Sequence, residues 1–509
     1  MGQGRNVPGS GSVVRSASYN TITRVVSAFF GYINLVLVAR ILDINDFGIY
    51  AFLINLLAIA YIVANVGMEN TLLVLLPKRR ETGDYRDSNG TLVTALAYTL
   101  GASIVLLAGL WLATPLFSSM FESTHSIRLF FLIMLASIPF QAIVVYSRVV
   151  NQANFQFLRS TFPENVIRPV SYFLMLCAFL LWFRDMGELV LWGYLASFIL
   201  ACAFAYTWVM KSTKLSFRRS DVKHDAEVIK LAPQFMSIQM LNQIAPFVVT
   251  FIMGLYLAAE FLGYFRASQQ TSALIAFTLR SLEMVFAPMI ATLYLTKDMP
   301  AISRLYKSIT KWIFATGGWI SIVAIIGAEL VMNAFGDRFA TAAYALQILA
   351  VGQLVNAASG SCEYLLMMTG RQKTVVYTTV MQVALVTVLS LVLIPVWGLL
   401  GAVLAVSVGI IAFKATLIVI VYRKLGITPF SKTYWGTAAS ILISFLFTYA
   451  VYRAVGTEDW MLSLAVLAAA STVSFVLLFW KLGLSAEEKT TVFARVKRLY
   501  IKPSRSGAR

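Results

Sequence analysis

Apolar residues in this chain gather into about fourteen uninterrupted runs, each close to the length a helix needs to cross a bilayer. Backbone polar groups find no partner in lipid, so only helices and closed barrels span a membrane. Barrel strands would show short segments of alternating polarity. These runs do not alternate, and the chain reads as an all-α polytopic membrane protein. Composition agrees, with 59% hydrophobic and 13% charged residues against roughly 25% charged in soluble domains. The expected spans are 18–39, 49–68, 91–112, 128–147, 167–184, 189–209, 232–257, 263–294, 309–333, 341–368, 374–396, 399–421, 434–453 and 461–482. The polar start, Met1 to Ser18, leads into a full-length run with no Ala-x-Ala site, so no cleavable signal segment is expected.

Charge placement orients the spans. With a cytoplasmic N-terminus, 32 of the 41 Lys and Arg fall on the cytoplasmic side, five fall outside and four fall inside spans. That bias is the positive-inside pattern, and it places both termini in the cytoplasm. A net charge of +18 then reads as basic loops facing anionic lipid, not as a nucleic-acid surface. The organisation expected is an N-terminal half (1–210), a basic linker (211–231), a second half (232–423), two further spans (424–482) and a basic tail (483–509). Six spans per half let the halves be parallel repeats. A short echo supports this: Asp46-Phe47-Gly48-Ile49-Tyr50 and Phe261-Leu262-Gly263-Tyr264-Phe265 each set an aromatic-flanked Gly at the outer start of a span.

Ionisable residues at membrane depth are costly and point to function. Arg24 lies in span 1, where snorkelling to the headgroups and facing a cavity are both open. In span 8, Arg266 and Arg280 lie about 40° apart on an ideal helix, with Gln269 and Gln270 flanking that face. The plain alternative for Arg280 is a pair with Glu283 one turn on. Span 7 carries Gln239, Asn242, Gln243 and Pro246 at the spacing of one helical stripe, which suits either interhelical amide packing or a cavity lining. Span 10 has Gln353, Asn356, Gly360 and Glu363 on one face, and Lys414 lies toward the cytoplasmic side of span 12. A basic, amide-rich lining suits an anionic, polyhydroxylated ligand. Arginine grips phosphate oxygens with paired hydrogen bonds, and amides suit sugar hydroxyls.

Other chemistries lack their residues. No P-loop and no His/Cys metal pattern occurs, and no cofactor is expected. Cys177, Cys202 and Cys362 fall in apolar runs and read as small buried side chains, and His125 and His224 are isolated loop residues.

Several motifs in order carry a family resemblance. Val38-Ala39-Arg40-Ile41-Leu42 followed by Asp46-Phe47-Gly48-Ile49-Tyr50 resembles the signature after the first helix of Wzx-type oligosaccharide flippases. Gly67 with Leu76-Pro77, Leu262-Gly263-Tyr264 with Ala267 and Ala287-Pro288, Gly370-Arg371, and Gly398 with Gly401-Ala402 resemble later family motifs. These flippases belong to the multidrug/oligosaccharidyl-lipid/polysaccharide exporter superfamily. The resemblance implies two six-helix lobes around a central cavity plus two C-terminal helices. It implies translocation of undecaprenyl-diphosphate-linked oligosaccharide units by alternating access, with polysaccharide polymerases and other export proteins as partners. Thr23-Arg24-Val25-Val26 is similar to the start of lipid II flippases, in which that Arg faces the cavity. Relatives often have a basic residue where this chain has Gln269.

The leading expectation is therefore a flippase for a lipid-linked oligosaccharide of exopolysaccharide, O-antigen or capsule. Arg24, Arg266 and Arg280 would meet the diphosphate, and Gln239, Asn242, Gln243, Gln269, Gln270 and Asn356 the sugars. Glu283 or Glu363 would carry any coupling ion. The alternatives are a cation-coupled multidrug exporter of the same superfamily, and a lipid II flippase. A membrane enzyme is disfavoured because the outer loops are too short for a catalytic domain.

Overall fold

The computed structural model describes residues 10–81, 85–118, 126–154, 156–182, 187–212, 225–455 and 459–490. Most of the linker (213–224) and of the tail (491–509), together with both histidines, lies outside them. The described residues are helical, and each expected span coincides with a helix or a broken helix. Among the described residues eleven helices are long and apolar enough to cross a membrane, and a bent pair, Ala226–Leu241 with Gln243–Tyr256, makes a twelfth when taken as one span. One of the eleven, Gln372–Leu425, is 54 residues long and has a non-helical residue, Gly398, in its middle. A Cβ on Gly401 would lie 2.2 Å from the carbonyl oxygen of Leu393. In a straight helix residues eight apart are about 12 Å distant, so the chain reverses here and spans 11 and 12 form a hairpin. Gly398 makes that turn at φ +56, a conformation that glycine adopts freely. The eighth span is broken into two arms, Ala259–Ser272 of 14 residues and Phe277–Leu295 of 19, joined by the 3-10 turn Ala273–Ala276, and neither is among those eleven helices.

Helices outrun the expected bounds at several ends. Span 4 continues to Ala153 and span 5 begins at Phe157, so Arg148 and Arg168 lie within helices and not at loop edges. Lys311 likewise lies inside Met299–Ile326. An apolar run fades where polar residues gather, whereas a helix continues as long as its backbone bonds are satisfied.

Contacts divide the chain into two compact units. The first is 1–267 with 387–402, and the second is 268–386 with 403–509. In the first, Ala226–Tyr256 packs on both parts of span 2, Ile44–Asn65 and Met68–Glu81. Leu72, Leu75 and Leu76 are fully buried there beside Val228 and Ala232. At one end of this unit Asp225 caps the helix beginning at Ala226 and takes a two-pronged bond from Arg79, at 2.9 and 2.8 Å. Thr91 donates to the same carboxylate at 2.6 Å, and Glu227 pairs with Arg79 and Lys78, each at 2.8 Å. The approaches to spans 3 and 7 therefore lie at the same end of the unit.

In the second unit the last two spans, Lys432–Val455 and Trp460–Leu478, pack on Met299–Ile326. Phe314 stacks on Tyr434 at 4.9 Å. Buried Lys311 pairs with Glu488, which also accepts the backbone N–H of Ser485 at 2.8 Å and so closes a capping box.

Candidate functional site

Two polar centres occupy the first unit. The first is built around Arg148, which lies on span 4. Its guanidinium meets Glu69 of span 2 at 2.9 Å and Glu164 of span 5 at 3.3 Å. Gln141, two turns earlier on span 4, donates to Glu164 at 3.3 Å, and Gln239 of span 7 reaches Glu69 at 3.5 Å. Arg24 and Arg168 are within electrostatic reach of Glu164. Glu164 sits in a widened helical turn, Pro163–Ile167. Such turns insert a residue into the ladder and re-aim the side chains around them. Three arginines and two carboxylates from spans 1, 2, 4 and 5 thus share one electrostatic neighbourhood, which the amide of Gln239 borders through Glu69.

The second centre is a cluster of phenols. Tyr61 and Tyr194 approach hydroxyl to hydroxyl at 3.3 Å, and Ser137 meets Tyr61 at 2.7 Å. Tyr172 and Tyr50 both stand edge-on to Tyr194, at 5.8 and 6.2 Å. Arg168 covers the Phe198 ring at 4.9 Å, and Phe198 in turn touches Tyr194 at 4.9 Å. Arg266 lies within electrostatic reach of Tyr50 and Tyr194, and its Nε is enclosed with no hydrogen-bond partner. A guanidinium so placed has donors to spare, and phenol rings give sugars both a flat apolar face and hydroxyls.

A third centre lies in the second unit. Lys414 of span 12 is buried and paired with Glu363 of span 10. Glu283 of span 8 is within electrostatic reach of Lys414, Glu363 and Arg280. The two carboxylates named for ion coupling are therefore together, with one lysine between them. The arrangement can hold a proton or exchange a cation.

Three expected faces are interrupted. The stripe of span 7 bends by 55° between Leu241 and Gln243. Pro246 explains the place, because its ring excludes the hydrogen bond to the carbonyl of Asn242 four residues back. Gln239 and Gln243 consequently lie on different arms, and the Asn242 side chain lies outside the described residues. Span 10 breaks after Ser359, where Gly360 takes φ +63 and leaves no room for a Cβ beside Thr310. Glu363 therefore does not continue the face of Asn356, whose amide donates to Gln353 at 3.0 Å. In span 8 the 3-10 turn separates Arg266, half-buried in the first unit, from exposed Arg280 in the second. Gln269 and Gln270 are half-buried on the arm with Arg266. Arg148 and Glu164 were missed by the expected spans, and the Pro163-Glu164 pair at the start of span 5 was their one signal.

The helix order and these comparisons define the class. The fold is similar to that of lipid II flippase MurJ in an inward closed conformation, with TM-score 0.71 and 13% identity over 95% of this chain and 99% of that one. An inward-facing multidrug resistance MATE family transporter of the MOP superfamily matches with TM-score 0.68 and 14% identity, over 80% of this chain and 98% of that one. A MOP superfamily transporter from Pyrococcus furiosus, described as having a binding pocket of reverse polarity, matches with TM-score 0.57 and 13% identity over 82% and 95%. The fold class is thus the all-helical, multi-span fold that these transporters share. Residues 13–294 match the model of the polysaccharide biosynthesis protein family, and the chain belongs to that family. Comparison with curated proteins finds no match.

Proposed function

We propose that this protein moves polyprenyl-diphosphate-linked oligosaccharide from the inner to the outer leaflet of a bacterial cytoplasmic membrane, with both termini in the cytoplasm. The observation that carries the reading is Arg266, a half-buried guanidinium with an enclosed, unpartnered Nε beside a cluster of phenols. A diphosphate supplies the acceptor oxygens that such a group lacks. Arg24 and Arg280 offer further cations, and the amides of Gln239, Asn242, Gln243, Gln269, Gln270 and Asn356 serve the sugars. Glu283 and Glu363, set around Lys414, are the groups to carry a coupling proton or cation. The sugar unit belongs to exopolysaccharide, O-antigen or capsule, and the polymerase of that pathway is the partner that receives it.

Length favours this over drug export. The MurJ match covers 95% of the chain, whereas the MATE match covers 80%. Arg266→Glu should abolish surface polysaccharide while the protein still inserts at the wild-type level. Normal export from that variant removes Arg266 from the site.

A further inference from the structure

The Arg148 centre poses a problem for any carrier of a lipid diphosphate. Arginines that grip phosphate must be charged when the ligand is present and also after it has left. A bare guanidinium at membrane depth is costly, and an anion standing in the ligand's place lowers that cost in the empty carrier. Resting on the reading above, we propose that Glu164 and Glu69 are stand-in anions for the diphosphate, holding Arg148 while the site is empty and yielding it when the lipid-linked diphosphate binds.

Four observations support the exchange. Arg148 is flanked by two carboxylates from different helices and not locked to one. Its contact with Glu164 is 3.3 Å and poorly aligned, and both Arg148 Nε and Glu164 Oε2 are enclosed with no hydrogen-bond partner. The better contact, with Glu69, uses a different guanidinium nitrogen. None of the three side chains is sealed, with 26% of Arg148, 31% of Glu69 and 18% of Glu164 accessible. Arg24 and Arg168 lie close enough to Glu164 to share it. A diphosphate entering among the three arginines would replace carboxylate oxygens with phosphate oxygens, one anionic partner for another. Gln141, which already donates to Glu164, then holds that carboxylate once it is displaced.

A permanent structural ion pair and an exchangeable one predict opposite signs. If the carboxylates compete with the ligand, removing one strengthens binding. If they only position Arg148, removing one weakens it. The test is titration of the full chain in lipid nanodiscs with undecaprenyl diphosphate, using neutral undecaprenol as the control. Wild-type protein should prefer the diphosphate. Glu164→Gln and Glu69→Gln should each tighten diphosphate binding by about tenfold, the equivalent of one charge-assisted hydrogen bond, and leave undecaprenol unchanged. Glu329→Gln, which removes an exposed carboxylate elsewhere, should not alter affinity. Should a glutamine variant fail to fold, Glu164→Asp withdraws the carboxylate by one methylene and should shift affinity the same way. Unchanged or weaker diphosphate binding in the Glu164 and Glu69 variants overturns the stand-in role, as does equal tightening by Glu329→Gln. A wild-type protein with no preference for diphosphate over undecaprenol overturns the flippase reading along with it.

Discussion

Gly48 and Ala259 lie in backbone contact, so close that a Cβ on residue 48 would stand 1.7 Å from the carbonyl oxygen of Ala259. Nearby, a Cβ on Gly263 would meet the Phe47 ring at 3.0 Å. The two segments that echo each other in sequence, 46–50 and 261–265, are therefore packed against one another in the first unit. The blocking atom is backbone and cannot rotate away. Gly48→Val should cost about 3 kcal/mol or more, in the range of severe overpacking, and abolish the monodisperse peak on gel filtration in detergent. Gly101→Ala and Gly109→Ala, where an added Cβ meets nothing, should leave that peak intact.

Asp225 makes one end of the first unit pH-sensitive. Burial pushes its carboxyl up, but hydrogen bonds from Arg79 and Thr91 and the Arg79 charge outweigh this and hold it below the usual 3.8. A depressed carboxylate contributes stability that is complete above its unfolded pKa and disappears as pH falls through the lower folded value. The melting temperature of the protein in nanodiscs should therefore fall from pH 5 toward pH 3 by more in wild type than in Asp225→Asn. At pH 7 the Asn variant should be less stable by about 1–3 kcal/mol, because one carboxylate oxygen and the charge beside Arg79 and Thr91 are replaced by an amide NH2. Parallel pH curves for the two proteins would refute this.

Buried Lys414 pairs within the second unit with Glu363, whose side chain stays 31% accessible. Removing one partner strands the other charge, at a cost of about 3 kcal/mol, the lower end for a fully buried pair. Lys414→Met should thus reduce the yield of folded protein more than the Lys414→Met/Glu363→Gln double variant does. A double variant worse than the single one would show that the two residues are not energetically coupled.

The start of the tail should matter more than its end. Glu488 neutralises Lys311, which is only 2% exposed. Truncation after residue 490 keeps this pair, whereas truncation after residue 484 leaves the lysine without it. The shorter chain should melt several degrees lower in a thermal scan, and Lys311→Met should restore much of that loss. Equal melting temperatures for the two truncations would mean that the pair contributes little.

The spans were legible in sequence because a membrane helix needs a long apolar run, and that requirement leaves little freedom. Span 8 was legible as an apolar stretch carrying Arg266, Gln269, Gln270 and Arg280, but its division into two arms at Ala273–Ala276 was not. Helix continuity was less legible. The breaks at Asn242, Ala273–Ala276 and Gly360 rotate side chains away from their ideal-helix positions, and only Pro246 announces one of them. The Arg148 centre was hidden because its members come from four spans, and Arg148 itself lies in the last turns of its helix, where a charge reads as a loop residue. Pairing between spans is a property of packing, and no periodicity within one span reveals it.

The most direct test of the account is the lipid content of a strain from which the gene is deleted. A complete diphosphate-linked oligosaccharide should accumulate on the cytoplasmic leaflet while surface polysaccharide disappears, and its mass would identify the sugar unit. Normal surface polysaccharide without accumulation, in a strain lacking redundant homologues, would contradict the flippase assignment and favour drug export.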